Sequence, residues 1–550
     1  MRTLYLFGLW VVCFFISPRA IAQKIQWDKT LGGKQADYLM DALATPDYGF
    51  ILAGSSLSAA SGSKSQNAHN LDYWIWKMNE KGEPEWQKNF GGTGSDYLYS
   101  IALTPDAGYI LAGTSNSPKS DDKLTPHSGL DDVWVLKLNA RGEIEWQVTL
   151  GGIDQEKVHR ILPCADGYLI AGSSASPDFR GNAPATPETV VPKKGASYGD
   201  LDFWVVKLKR TGEVAWQRTY GGQYVDELRS VATAPAGGFL LGGYSNSPES
   251  GTKTQPNRGT GDFWVVRIDG EGNELWQRTL GGERDDQLQA LIRTYDDAFL
   301  LGGNSNSPGS HEKTTGNQEG TDLWVLKMDD SGTLLWQKTY NFGKTDVLTS
   351  LVENDDHSVL IGGYAQGEYS TLRSKTTKRL PVGGMAKAKK GTDDYIALKI
   401  DEKGEELWSR TVGSHGCDLL RKVIETRDGG YLMAGTSNAK ASGDKSGSQG
   451  RYDFWIVKLK DEQKPPKVKL MIEASPNPTY GFTSIVIGYD FEKGTATVVD
   501  LNGRVMQQFP IQSRTVPVDL SALPEGIYIV NISTNVQSDG VKIMKKTTKN

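Results

Sequence analysis

The sequence predicts an all-β protein, a seven-bladed β-propeller of four-stranded blades followed by a small β-sandwich. The first observation is a block of roughly 60 residues that recurs seven times. The second is that each block contains short segments rich in Val, Ile, Trp and Tyr between turn residues, a pattern typical of strands. The third is that units of this size cannot each bury an apolar face alone. They are therefore expected to pack on their neighbours in a closed ring.

The first 22 residues have the features of a secretory signal. Arg2 supplies the positive start, residues 4–16 the apolar segment, and residues 20–22 the small-residue cleavage site, so cleavage is expected after Ala22. No later apolar run reaches the ~20 residues that a transmembrane helix needs. The mature chain is expected to begin at Gln23 and to contain no transmembrane segment.

Two anchors recur in every block. Of the fifteen tryptophans, only Trp10 and Trp76 lie outside them. One anchor is a Trp followed by a strand-prone segment and usually two glycines: Trp27, Trp86, Trp146, Trp216, Trp276, Trp336 and Trp408. The other is an Asp two residues before a Trp or, once, an Ile: Asp72, Asp132, Asp202, Asp262, Asp322, Asp394 and Asp453.

Each block is predicted to form four strands, as at residues 97–103, 109–114, 133–138 and 143–150. The first predicted strand of the repeat region, residues 25–31, has no preceding partner strand. The last, residues 454–459, has no following one. Pairing of these two strands would complete the last blade and leave no free edge. The sequence thus predicts a propeller domain over residues 23–460.

A different module follows a charged, Pro-containing linker at residues 461–472. Residues 473–550 are predicted to form a small β-sandwich with six strands. An accessory sandwich of the immunoglobulin kind is the general alternative for such a segment.

Several motifs in this module resemble, in order and spacing, the type A C-terminal sorting domain of type IX secretion. They are Pro476, Asn477 and Pro478; Asp500 and Gly503; Leu523, Pro524, Gly526 and Tyr528; and Lys545 and Lys546. The resemblance implies export through the type IX secretion machinery. It also implies removal of the sandwich, with release of the protein or its attachment to surface lipopolysaccharide. The expected location is extracellular or on the outer-membrane surface of a Gram-negative bacterium.

The repeats themselves resemble the tryptophan-docking blades of quinoprotein dehydrogenases and of outer-membrane assembly propellers. They also resemble uncharacterised secreted propellers built from repeats of the form DFWVVKLD, G, WQKTYGG and DGGYILAGYSNS. The resemblance carries no residue set for a quinone site, and no cofactor is predicted from it.

Seven acids lie four residues after the glycine pair or its replacement: Asp37, Asp96, Glu156, Asp226, Asp286, Asp346 and Asp418. One interpretation is a ring of carboxylates that binds Ca²⁺, which prefers several oxygen ligands. The alternative is that each acid accepts hydrogen bonds from backbone N–H groups and fixes its own loop. Occurrence in all seven blades favours the second interpretation. Calcium binding is kept as the alternative.

The blades differ in their long loops. The loop of blade three extends over residues 174–201 and is rich in proline, and that of blade six extends over residues 365–393. The second carries seven basic residues: Arg373, Lys375, Lys378, Arg379, Lys387, Lys389 and Lys390. One interpretation is a binding surface for an anionic glycan, lipopolysaccharide or nucleic acid. The alternative is a disordered, solvent-exposed loop without a binding role. The formal net charge of -5 argues against a general nucleic-acid binder.

The sequence shows no clear catalytic set. The histidines have no metal-ligand spacing, and there is no nucleophile elbow or phosphate-binding loop. The predicted function is a secreted or surface binding module for a glycan or protein. The alternatives are a polysaccharide-degrading enzyme that uses acids at the channel mouth and a structural component of the cell surface.

Overall fold

The computed structural model describes residues 23–164, 166–178, 190–318, 320–366, 393–462, 464, 471–479 and 481–546. All helix or strand elements in these residues are strands, which confirms the all-β prediction. The strands of the repeat region are β1 Lys24–Leu31, β2 Asp37–Ala44, β3 Phe50–Ser56, β4 Asp72–Met78, β5 Pro84–Phe90, β6 Asp96–Leu103, β7 Tyr109–Ser115, β8 Asp132–Leu138, β9 Ile144–Gly151, β10 Glu156–Cys164, β11 Gly167–Ser174, β12 Val191–Pro192, β13 Asp202–Lys209, β14 Val214–Tyr220, β15 Asp226–Thr233, β16 Phe239–Ser245, β17 Asp262–Ile268, β18 Glu274–Leu280, β19 Asp286–Arg293, β20 Phe299–Ser305, β21 Asp322–Met328, β22 Leu334–Tyr340, β23 Thr345–Glu353, β24 Val359–Gln366, β25 Asp393–Ile400, β26 Glu406–Val412, β27 Asp418–Glu425, β28 Tyr431–Ser437 and β29 Asp453–Lys460.

These strands form seven antiparallel sheets, which we number in chain order. Sheet one is β2 to β5, sheet two β6 to β9, sheet three β10, β11, β13 and β14, sheet four β15 to β18, sheet five β19 to β22, sheet six β23 to β26, and sheet seven β27 to β29 with β1. The short β12 adds a parallel pair at the edge of sheet two. The repeated four-stranded units of the sequence are therefore repeated four-stranded sheets.

The two ends of the repeat region meet in sheet seven. Strand β1 pairs antiparallel with β29, with Thr30 opposite Trp455. The first strands of successive sheets contact one another, and β2 of sheet one also contacts β27 of sheet seven. The arrangement is propeller-like, and β1 occupies the edge that would otherwise be unpaired.

The third-strand tryptophans form the centre of the apolar packing. Trp134 is fully buried, and its indole Nε1 donates to Oε1 of Gln147 on the fourth strand at 3.1 Å. In sheet seven the fourth strand is β1, and Trp455 donates instead to Asp28 at 3.2 Å. Replacing a buried tryptophan by alanine lowers the free energy of unfolding by roughly 3–5 kcal/mol. The third-strand tryptophans therefore strongly favour the observed strand pairing.

The outer tryptophans link each sheet to the next. Nε1 of Trp146 in sheet two donates to the carbonyl of Arg210, in the last turn of sheet three, at 3.1 Å. In the same turn Gly212 has a φ of 87°, and a Cβ there would lie 2.8 Å from the Trp146 ring. A Cβ at Gly82 of sheet one would likewise lie 3.2 Å from Trp27 of β1. The same contact thus links sheet seven to sheet one.

The C-terminal module has its own core between two sheets, ordered β30-β31-β34 and β33-β32-β35-β36. Ile485, Val498, Val516 and Val530 are buried between them. The strands are β30 Ile472–Ser475, β31 Phe482–Ile487, β32 Gly494–Asp500, β33 Val505–Ile511, β34 Thr515–Asp519, β35 Gly526–Thr534 and β36 Ser538–Lys545.

Candidate functional site

The seven predicted acids lie inside the loops that precede them. Asp96 is fully buried, and it accepts the N–H of Gly92 at 2.9 Å and the hydroxyl of Ser117 at 2.8 Å. Each of the others accepts the N–H four residues earlier: Asp37 from Gly33, Glu156 from Gly152, Asp226 from Gly222, Asp286 from Gly282, Asp346 from Phe342 and Asp418 from Ser414. Each acid therefore fixes a turn of its own loop.

A second acid, at the start of the third strand, approaches the first acid of the next sheet. Gly281, the first glycine of its pair, lies beside both carboxylates. A Cβ at Gly281 would lie 1.9 Å from Oδ1 of Asp262 and 3.0 Å from Oδ2 of Asp286, so the site has no room for a side chain. Burial raises the pKa of Asp262 to about 6. Within the described part of the chain, no group of three or more His, Cys, Asp or Glu side chains could hold a metal ion. The calcium interpretation stays a prediction.

A buried lysine, which the sequence analysis missed, accompanies these acids. Nζ of Lys123 donates to the carbonyl of Thr125 at 2.8 Å and to Oγ1 of Thr149 at 3.0 Å. Burial lowers its pKa to about 8, although Asp96 and Asp132 raise it. Equivalent buried lysines are Lys64, Lys193, Lys253, Lys313 and Lys445. The regular charges thus partly balance one another inside the sheets, and the repeated Lys of the long loops was the signal for them.

Sheet six provides a test of these buried charges. Burial, together with the carboxylates of Asp418 and Asp444, raises the pKa of Asp394 to about 7. A carboxyl whose folded pKa lies above its unfolded value stabilises the fold when protonated, and this contribution is lost as pH rises through about 7. We expect Asp394→Asn to raise the free energy of unfolding by roughly 1–2 kcal/mol at pH 8, and this gain to shrink at pH 5.5.

Thermal melts of both proteins at the two pH values measure this effect. The matched control is Asp418→Ala, which removes the acceptor of the Ser414 N–H at 2.6 Å and of the Ser414 hydroxyl at 2.7 Å. That variant is expected to be less stable than the wild type at both pH values. An Asp394→Asn protein that is less stable at pH 8 would contradict the electrostatic explanation.

The basic candidates of the sixth long loop, Arg373, Lys375, Lys378, Arg379, Lys387, Lys389 and Lys390, lie outside the described residues, as does Ala22. The sorting-motif residues up to Lys546 are described. Asn477 donates to the carbonyl of Lys542 at 2.8 Å and accepts the N–H of Met544 at 2.9 Å. Nζ of Lys545 donates to the carbonyl of Ser521 at 3.1 Å. The motif therefore joins the two ends of the C-terminal module.

The first strands of the seven sheets surround a cavity of about 880 Å³, which we call the central cavity. All seven first strands contribute to its wall. Two consecutive residues of one strand face it in several sheets: Met40 and Asp41, His159 and Arg160, Arg229 and Ser230, Gln289 and Ala290, Thr349 and Ser350, Arg421 and Lys422. These positions differ between sheets, whereas the acid at the start of each strand does not.

A β-bulge explains why consecutive residues face the cavity. The pairing of β10 with β11 skips His159, and that of β27 with β28 skips Arg421. Such a bulge interrupts the alternation of side chains along a strand. The sequence analysis missed these residues for this reason. Their variability three and four positions after each acid was the available signal.

The charges of the central cavity are predominantly positive. Among the described residues, its lining has five basic side chains and one carboxylate, that of Asp41. Oδ2 of Asp41 lies 3.4 Å from Nη1 of Arg160, and Oδ1 lies 3.5 Å from Nζ of Lys422. The remaining basic side chains are Arg229, Arg293 and Arg421. The cavity wall is thus basic although the chain as a whole has a net charge of -5.

A second carboxylate, that of Glu227, lies beside the lining. It accepts a hydrogen bond from Nη2 of Arg229 at 2.6 Å and lies 3.3 Å from Nε2 of His159. Burial alone would raise its pKa, but the contacts with His159 and Arg229 lower it to about 2. Glu227 is therefore ionised at neutral pH and balances part of the basic wall.

Comparison with known proteins identifies the C-terminal module. Residues 474–546 match the secretion system C-terminal sorting domain.

Regulatory protein FlaEY of Caulobacter vibrioides is 23% identical over 306 residues, which are 52% of this chain and 31% of that protein. The chain thus spans less than a third of the length of this relative.

Two solved structures show remote similarity. An acylaminoacyl peptidase of Pyrococcus horikoshii gives a TM-score of 0.38 at 10% identity, covering 83% of this chain and 58% of that one. An apocarotenoid oxygenase of Synechocystis gives a TM-score of 0.35 at 12% identity, covering 81% of this chain and 95% of that one.

The described residues contain no helix of the length and apolarity required to cross a membrane. The C-terminal module is a type IX sorting domain, and the protein is exported to the cell surface or the surrounding medium.

Proposed function

We propose that the protein is an exported seven-bladed β-propeller that binds a glycan or protein partner in and around its central cavity. The domains are a propeller over residues 23–460 and the sorting domain over residues 473–550, with residues 461–472 as the linker. The type IX secretion machinery recognises the sorting domain. After export the protein is released or attached to surface lipopolysaccharide.

The pattern of contacts between sheets supports the ring. Each first strand contacts the first strand of the next sheet, and β27 contacts β2, so the series has no free end. Strand β1 completes sheet seven from the other end of the repeat region. This closure supports seven blades because an open stack would leave the first and last apolar faces uncovered.

The central cavity is the observation that carries the binding function. Its volume of about 880 Å³ falls within the range of about 300–1,000 Å³ that is common for ligand sites. Its wall differs from sheet to sheet, whereas the acids and tryptophans that build the sheets recur. A site that recognises a partner needs such differences, since identical positions would present the same group seven times.

Within the central cavity, the surroundings of the carboxylates favour binding over polysaccharide cleavage. A glycosidase needs one carboxyl group with a raised pKa to protonate the leaving oxygen. The contacts with His159 and Arg229 instead lower the pKa of Glu227 to about 2. Asp41 is paired with two basic groups, Arg160 at 3.4 Å and Lys422 at 3.5 Å. Neither arrangement resembles that of a general acid.

The mature chain can be tested on an array of glycans and, in parallel, with the same polysaccharides in an assay for new reducing ends. We expect retention of at least one glycan or surface protein without new reducing ends. Glu227→Gln and Asp41→Asn serve as controls for catalysis. Reducing ends that form with the wild type and disappear in either variant would establish the enzyme instead.

A further inference from the structure

We propose that the central cavity binds an acidic saccharide, with its carboxylate groups on Arg160, Arg229, Arg421 and Lys422 and its sugar rings against tyrosines at the mouth. We call these four residues the basic cluster. This inference rests on the proposed binding function and specifies its ligand.

The basic cluster has hydrogen-bond donors without an acceptor. Nε of Arg229 and Nε of Arg421 are buried and have no partner among the described residues. Both side chains line the central cavity. A buried donor without a partner is energetically unfavourable, and a ligand carboxylate that draws the guanidinium group towards the cavity would supply the missing acceptor. Carboxylates suit this role because they accept two parallel hydrogen bonds from a guanidinium group.

The charges within the basic cluster are incompletely neutralised. Asp41 is shared between Arg160 at 3.4 Å and Lys422 at 3.5 Å, and Glu227 contacts Arg229. Burial and the charge of Arg160 lower the pKa of Lys422 to about 8, although Asp41 raises it. An incoming carboxylate would favour the charged form of Lys422 and would be held by it.

Aromatic side chains lie at the same cavity. Tyr38 and Tyr97 line it and are 36% and 43% exposed. The ring centroids of Tyr452 and Tyr38 are 5.5 Å apart, so these two rings form one aromatic surface. Tyrosine presents an apolar ring face and a polar hydroxyl, which together match the apolar face and the hydroxyl groups of a sugar ring.

These two features together favour an acidic saccharide over a neutral saccharide or a simple inorganic anion. A neutral saccharide would leave the charge of the basic cluster incompletely neutralised, and an inorganic anion would make no contact with the tyrosines. Export places the protein outside the cell, where polysaccharides that contain uronic acids are accessible to it.

The experiment uses the full mature chain and oligosaccharides of galacturonate, glucuronate, mannuronate and guluronate, each as the free acid and as the methyl ester. Esterification removes the charge and changes the shape little. We expect at least one free acid to bind, with its ester binding about 10- to 100-fold more weakly, as loss of a charge-assisted hydrogen bond predicts. The same loss is expected for Arg421→Gln, with partial recovery in Arg421→Lys.

Arg410→Gln is the matched control, because Nε of Arg410 is also buried without a described partner but the residue does not line the central cavity. Its affinity should equal that of the wild type, and melting curves verify that all variants fold. Equal binding of acid and ester, binding of sulfate or phosphate ions as tight as that of the oligosaccharides, or an unchanged affinity of folded Arg421→Gln would each overturn the inference.

Neutral glycans or proteins that bind while every acidic oligosaccharide fails would also overturn it, and would leave the proposed binding function intact. Failure of every glycan and protein partner would reject the proposed function itself.

Discussion

Deletion of β1, residues Lys24–Leu31, is expected to destabilise the whole repeat region by roughly 5 kcal/mol or more. The deletion removes Trp27, which is partly buried against the apolar core shared by sheets one and seven, and its contact with Gly82 of sheet one. It also removes Asp28, the acceptor of the Trp455 indole, and exposes the edge of β29. Since a domain is stable by only about 5–15 kcal/mol, the melting transition should shift strongly or disappear.

The control is a peptide of residues 24–31 added to the truncated protein. If β1 acts as the closing strand, the peptide should restore part of the lost melting temperature, and a peptide of the same composition in reversed order should not. A truncated protein with an unchanged melting temperature would contradict closure of the ring by β1.

Much of this architecture could be predicted from the sequence because one packing solution is copied seven times. Trp134 and its equivalents mark third strands, and the glycines after Trp146 and its equivalents mark the loops. Residues 25–31 and 454–459 were predicted to pair because each lacked a neighbour, and the structure pairs them in β1 and β29. Repetition makes such positions visible without any knowledge of contacts.

The candidate site could not be predicted in the same way. His159 and Arg421 reach the cavity through a bulge, which breaks the two-residue period used to assign faces. Lys422 would face away from Arg421 in a regular strand, yet both line the cavity. The positions proposed for binding also differ between repeats, so no repeated motif marks them in the sequence.

Removal of residues 473–550 is expected to abolish surface display and to leave the protein in the periplasm. The removed segment contains the complete match to the sorting domain. Fractionation of cells and accessibility of the protein to external protease measure the result. The predicted signal peptide, residues 1–22, remains in this variant, so transfer across the inner membrane should continue.

The truncation must not act by unfolding the repeat region, and the contacts between the two modules indicate that it does not. The hydroxyl of Tyr48 donates to Glu473 at 2.8 Å, Arg427 pairs with the same carboxylate, and Arg210 lies 4.6 Å from the Phe482 ring. Such peripheral contacts contribute little compared with the buried tryptophans. The truncated protein should therefore melt within a few degrees of the wild type.

A point variant separates the sorting motif from the mere presence of the module. Lys545 is nearly buried, and its Nζ donates to the carbonyls of Ser521 and Leu523. Lys545→Met keeps the length of the side chain but loses both bonds, so we expect export to fall severalfold. The matched control is Val505→Thr, because Val505 is 55% exposed in the same module and lies outside the motif. Normal surface display of the truncated protein would contradict the sorting assignment. An export defect in Val505→Thr equal to that of Lys545→Met would show that the loss is not specific to the motif.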